Sequence, residues 1–85
     1  MLLVVAYDIS DDRRRTRVHA ALMGWGAPVQ ESVFECVVDD RQVEQLKRRV
    51  RQLVRPAVDR VNYYALCADC ATRSEVAHHV QSMII

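Results

Sequence analysis

Leu2-Leu3-Val4-Val5-Ala6-Tyr7-Asp8-Ile9-Ser10-Asp11-Asp12 opens with six apolar residues and then stops on a carboxylate. A short continuous apolar run with adjacent valines reads as a β-strand over residues 2–7, buried on both faces. Ser10, Asp11 and Asp12 each carry an oxygen able to accept from the free N–H groups of a helix start. The acids also suit the positive end of a helix dipole. Val18, Ala21, Leu22 and Trp25 then recur at i, i+3, i+4 and i+7, the stripe of an amphipathic helix. Gly24, Gly26 and Pro28 are expected to end it.

Working outward, residues 29–38 read as one long strand or two short ones. Val33, Phe34, Val37 and Val38 do not alternate cleanly, which places a bulge or bend near Ser32. Asp39-Asp40 supplies a turn and a cap. Val43, Leu46, Val50 and Leu53 form the apolar face of a second helix, with Pro56 just beyond its end. Residues 60–67 read as a further strand. The order is β-α-β-β-α-β, so the expected class is α+β with a ferredoxin-like sandwich. Both helices would cover one face of an antiparallel sheet. The other face would stay open, most simply for a second copy in a symmetric homodimer. In the tail, Thr72-Arg73-Ser74-Glu75 has capping-box spacing. The favoured reading is a short turn or helical piece followed by a C-terminal strand at 80–85, added to a second subunit's sheet.

Composition sets the limits. Eighty-five residues are expected to form a single domain, 1–85, with a modest core. Hydrophobic residues are 51% of the chain, which argues against disorder, and the net charge is only +1. Charge is uneven, however: Arg41, Lys47, Arg48, Arg49, Arg51 and Arg55 face a single acid, Glu44, in the second helix. Apolar runs are too short for a membrane span, and Leu2–Ala6 is too short for a signal-peptide core, so a cytoplasmic protein with no membrane partner is expected. Cys36, Cys67 and Cys70 are an odd, small set, unlike a secreted disulfide framework.

Asp8 is the first chemical candidate. A carboxylate ending an apolar strand either organises the turn with Ser10 or faces a ligand. Mg²⁺ prefers carboxylate oxygen and keeps several waters. Two such carboxylates, brought together across a dimer axis, could hold one ion and activate a water. Arg14 and Arg15 continue the stripe of Val18 back by one turn, towards Asp8, while Arg13 and Arg17 pair at i, i+4 on a neighbouring face. Basic side chains around such a centre suit a phosphodiester; the alternative is a solvated face balanced by Asp11 and Asp12. Arg48 and Arg51 on the second helix could grip a duplex backbone, or simply keep that helix soluble. Cys67-Ala68-Asp69-Cys70 has the spacing of a metal or redox pair, with only His78 and His79 to complete a zinc site. Cys36 is expected to pack as a small apolar residue, and His19 to lie on the surface. Tyr63 and Tyr64 would point to opposite faces of their strand, which is no stacking platform for RNA.

Tyr7-Asp8-Ile9-Ser10-Asp11-Asp12, an Arg-rich helix, and Val29-Gln30-Glu31-Ser32-Val33-Phe34-Glu35-Cys36 together resemble the small CRISPR-associated adaptation protein, the metal-dependent endonuclease family that partners the CRISPR integrase. The resemblance covers about residues 2–67. It implies a ferredoxin-like homodimer in which C-terminal strands cross to the partner sheet. It also implies a metal-binding aspartate at Asp8, with Mg²⁺ as cofactor, and Tyr7, Arg15, Arg17 and Phe34 at positions implicated in nuclease activity. Many members carry an arginine where this chain has Pro28. Members are reported to cut single-stranded RNA or duplex DNA, or to act as a scaffold lying along DNA between integrase dimers. Two alternatives remain: a toxin-type messenger-RNA ribonuclease of similar fold, and a non-enzymatic metal carrier using Cys67 and Cys70.

Overall fold

A computed structural model describes residues 1–66 and the backbone of residues 81–84. The chain runs β1 (Leu2–Asp8), α1 (Asp12–Leu22), β2 (Gly26–Gln30), β3 (Val33–Val37), α2 (Asp40–Leu53), β4 (Arg60–Leu66) and β5 (Gln81–Ile84). The strands form one sheet in the order β2-β3-β1-β4-β5, every neighbouring pair antiparallel. Strands β1 and β2 are therefore parallel with β3 between them, and β3 and β4 with β1 between them. Parallel strands need a long crossover, and the two helices supply it. This is the expected α+β, ferredoxin-like arrangement.

Local chemistry sets the helix ends. Asp11 caps α1 by accepting from the Arg14 N–H at 2.9 Å. Asp39 caps α2 in a full capping box: its carboxylate accepts from the Gln42 N–H at 2.8 Å, and the Gln42 side chain accepts from the Asp39 N–H at 2.9 Å. Each cap stabilises its helix by about 1 kcal/mol. Both helices lie on one sheet face. Val18 and Leu22 from α1 and Val43, Leu46 and Val50 from α2 are buried against Leu3, Val5, Phe34, Cys36, Val61 and Tyr63. Each fully buried large aliphatic or aromatic side chain is worth about 1.5–3 kcal/mol, so this layer holds the domain together.

Several sequence expectations need correction. Strand β1 is not buried on both faces: Leu3, Val5 and Tyr7 are buried, whereas Leu2, Val4 and Ala6 are only half-covered. With both helices on one side, no other described residues form a layer over the other face. Helix α1 stops at Leu22, and Trp25 packs on the core from the following turn. The C-cap is Met23, and of the three expected terminators only Gly24 lies in the turn that follows; Gly26 and Pro28 belong to β2. Gly26 is there because the strands press together: a Cβ would lie 2.6 Å from Cys36 Sγ and 2.8 Å from Cys36 Cα, and closer still to the Glu35 carbonyl oxygen. Pro28 is tolerated because β2 is an edge strand. The irregularity expected near Ser32 is present, as a register shift between Pro28 and Gln30 and a φ of 64° at Ser32.

The C-terminal strand is present as β5, and in the single chain it pairs with its own β4, Tyr63 opposite Met83. Thr72–Glu75 and the Cys67, Cys70, His78, His79 group lie outside the described residues. Among the described residues no helix is long and apolar enough to cross a membrane.

Candidate functional site

Strand alternation decides the geometry at the end of β1. Tyr7 follows Leu3 and Val5 towards the helices, so Asp8 points to the other side of the sheet. Asp8 is exposed and stands opposite Arg60 of β4. Its carboxylate has no hydrogen bond or ion pair with a described residue, Ser10 included. It therefore does not organise the turn. Among the described residues no three His, Cys, Asp or Glu side chains gather to hold a metal. Among the described residues the donor set here is the single carboxylate of Asp8. Magnesium is often held by only one or two carboxylates and several waters, so Asp8 fits half of such a site.

The arginines around it divide by task. Arg14 does not reach out to solvent. Its Nε donates to Asp59 Oδ2 at 2.7 Å and its Nη2 to Asp59 Oδ1 at 3.1 Å. Asp59 also accepts from the Arg55 N–H at 2.8 Å, and its side chain is 0% exposed. Its partners hold its carboxyl below the usual carboxylate range, first the Arg14 hydrogen bonds, then the Arg55 N–H, against the opposing effect of burial. Arg14, expected among the nucleic-acid contacts, is thus a structural residue that ties α1 to the loop before β4. Arg15 reaches back to the segment after Asp8: Nη1 donates to the Ile9 carbonyl at 3.1 Å, and Nη2 pairs with Asp12. Arg13 and Arg17 are exposed on the outer side of α1, and Arg17 shares a groove between the helices with Arg49. Arg48 and Arg51 are exposed on α2.

On the helix side, a cleft of about 270 Å³ opens above Tyr7, between α1 and the β2–β3 turn. The Tyr7 hydroxyl lies 3.4 Å from His19 Nδ1. Burial raises the Tyr7 pKa above 10.0, Arg15 opposes that and Glu31 adds to it, so the phenol keeps its proton at neutral pH. When that hydroxyl donates, Nδ1 accepts and the ring proton sits on Nε2. Phe34 supports both rings from below, 6.4 Å from Tyr7 and edge-on to His19 at 5.0 Å. Phe34 is 0% exposed. It cannot touch a polymer, and any effect it has on catalysis passes through Tyr7 and His19.

Tyr7 and Arg15 are thus brought together at this cleft, with Asp8 around the strand end on the other face. Sequence reasoning missed two residues. His19, correctly expected at the surface, faces Tyr7; its spacing three residues before Leu22 carried no hint of that. Asp59 sits between Val58 and Arg60, its carboxylate's only local partner is the Arg55 N–H, and the arginine side chain it holds is 45 positions away.

A family model described as CRISPR associated protein Cas2 matches residues 1–74. The CRISPR-associated endoribonuclease Cas2 3 of Chloroflexus aurantiacus is 40% identical over 76 residues, 89% of this chain and 82% of the relative. The CRISPR-associated endonuclease Cas2 2 of Thermus thermophilus is 46% identical over 63 residues, 74% of this chain and 70% of the relative. Among solved structures, Streptococcus pyogenes Cas2 at pH 6.5 superposes with a TM-score of 0.77 at 29% identity, covering 88% of this chain and 96% of that one. A hypothetical protein from Thermus thermophilus gives a TM-score of 0.76 at 43% identity, covering 79% and 82%.

Proposed function

The chain belongs to the CRISPR-associated protein Cas2 family, and from that premise we propose that it is a CRISPR adaptation protein with endonuclease activity, working as a homodimer with the CRISPR integrase. The observation that carries the nuclease part is the match to relatives called endoribonuclease and endonuclease, over a segment whose first strand ends in an exposed carboxylate with no partner among the described residues. The matches do not favour a toxin-type ribonuclease or a metal carrier.

In this reading Asp8, with the same residue of a second copy, would hold one Mg²⁺. When bound, the ion would lower the pKa of a water and polarise a phosphoryl oxygen. Arg17, exposed on α1, neutralises the phosphodiester, while Arg15 and Tyr7, its ring braced by Phe34, act from the cleft on the helix side of the strand end rather than at the ion. Arg13, Arg48 and Arg51 hold the nucleic-acid backbone without reading its sequence. A scaffold role along duplex DNA, between integrase subunits, uses these exposed arginines and needs no cleavage.

The deciding experiment compares wild type with Asp8→Asn on single-stranded RNA and on duplex DNA, with and without Mg²⁺. Metal-dependent cleavage that falls on the order of 10²-fold in the variant, at unchanged melting temperature, supports the nuclease. Cleavage indifferent to Asp8, or none at all, removes it and leaves the scaffold.

A further inference from the structure

The cleft above Tyr7 has two chemically different walls, and they differ in a way that selects an occupant. Helix α1 supplies Arg15, Thr16 and His19; the β2–β3 turn supplies Gln30, Glu31 and Ser32. The α1 wall is rich in donors: a guanidinium, a hydroxyl, and an imidazole whose Nδ1 lies 3.4 Å from the Tyr7 hydroxyl, so that Nε2 is the nitrogen left for a ligand. Arg15 uses one nitrogen on the Ile9 carbonyl and another on Asp12, which fixes the guanidinium in place rather than leaving it to swing. The turn wall is an amide, a carboxylate and a hydroxyl, able to accept as well as donate. An anion would be repelled by Glu31 and drawn to α1. A ligand with an anionic end and a hydrogen-bonding planar end satisfies both walls.

We propose that this cleft binds one unpaired nucleotide, its phosphate against Arg15, Thr16 and His19 and its base edge against Gln30, Glu31 and Ser32. The site lies across the sheet from Asp8. A volume of about 270 Å³ is at the small end for ligand sites, which suits a single unit and excludes a base pair. A base can enter only when it is out of a duplex, because its Watson–Crick edge must reach the turn. Ser32 has a φ of 64°, a left-handed conformation unusual for a residue other than glycine, asparagine or aspartate. Its carbonyl accepts from the Tyr7 N–H at 3.0 Å, which pins the turn to β1. The turn wall is thereby held at a set position relative to Tyr7, as a reading surface needs. His19 is the key donor here: it is exposed and borders the cleft, and no described residue forms an ion pair with it.

This inference deepens the nuclease reading and relies on it only for expecting a nucleic-acid ligand; its test does not need cleavage. The full chain, labelled with ¹⁵N, is titrated with GMP, AMP, CMP, UMP and inorganic phosphate, each at the same pH and salt. The expected result is saturable shifts confined to Arg15–His19 and Gln30–Ser32, with at least one mononucleotide binding about tenfold tighter than phosphate. His19→Ala should weaken all the nucleotides about tenfold, and Glu31→Gln should change the order of preference among bases while leaving phosphate unaffected. Both positions are exposed, and a thermal melt of each variant confirms that it is folded. Asp8→Asn should titrate like wild type even where it abolishes cleavage, so loss of the nuclease reading alone leaves the cleft standing. The inference is overturned if no mononucleotide shifts these residues at millimolar concentration. Equal affinity for phosphate and nucleotides, or unchanged titrations in both variants, overturns it as well.

Discussion

Asp59 shows how much one buried residue can decide. Its side chain is completely enclosed and satisfied by three hydrogen bonds, two from Arg14 and one from the Arg55 N–H. Asp59→Asn keeps the shape but offers an amide donor where only donors are waiting. The expected loss is on the order of 2 kcal/mol, which for a domain of this size lowers the melting temperature by roughly 8–16 °C. Because the folded-state pKa lies below the ordinary 3.8, the stabilisation is present at neutral pH. It declines as pH falls below about 4, the range in which the unfolded chain takes up the proton first. Melts from pH 7 to pH 2 should therefore show a shallower acid limb in Asp59→Asn than in wild type. Nothing in the local sequence marks Asp59 for this: charge beside Val58 and Arg60 in a loop reads as solvated surface until α1 brings Arg14 over it.

At the scale of elements, helix positions were readable and strand contacts were not. The stripes of α1 and α2 and the Asp39 cap depend on residues three or four apart, so their chemistry lies within a short window. The β2–β3 hairpin depends on contact across strands. Gly26 looked like a helix terminator but is the point where β2 presses on β3. Gly26→Ala should therefore cost about 1–3 kcal/mol through overpacking against Glu35 and Cys36, whereas a glycine acting only as a terminator would cost little. Urea denaturation of the variant checks this. Displacement of β2 would also move the turn that carries Gln30, Glu31 and Ser32, so ligand binding at the cleft should weaken in the same variant.

At the scale of the whole molecule, the described residues present a helix face with basic side chains, a sheet face they leave open, and the rim where β1 ends. On the helix face, Arg48 and Arg51 are exposed and held by no described acid, whereas Arg14 is held by Asp59. In duplex-DNA binding, Arg48→Ala and Arg51→Ala should each reduce the slope of log K against log salt by about 1. Arg14→Ala should leave that slope alone and lower the melting temperature. On the open face, Val37 is 82% exposed in the inner strand β3, beside half-covered Leu2, Val4 and Ala6. If a second copy covers this face, Val37→Lys should shift the dimer to monomer in sedimentation velocity at a nearly unchanged monomer fold. A wild type that sediments as a monomer would remove the shared Asp8 site with it.

By itself the sequence determined the order of elements, the helix caps, the inward stripes and the carboxylate at the end of β1. Each of these follows from interactions within about one helical turn or from the two-residue period of a strand. The tertiary structure alone decided which arginines stay free, which face of the sheet each functional residue serves, and that Tyr7, His19 and Phe34 share one cleft. Those outcomes depend on partners 12 to 45 positions apart. Only strand register and helix packing select such partners, because no local preference of a chain distinguishes one distant carboxylate or ring from another.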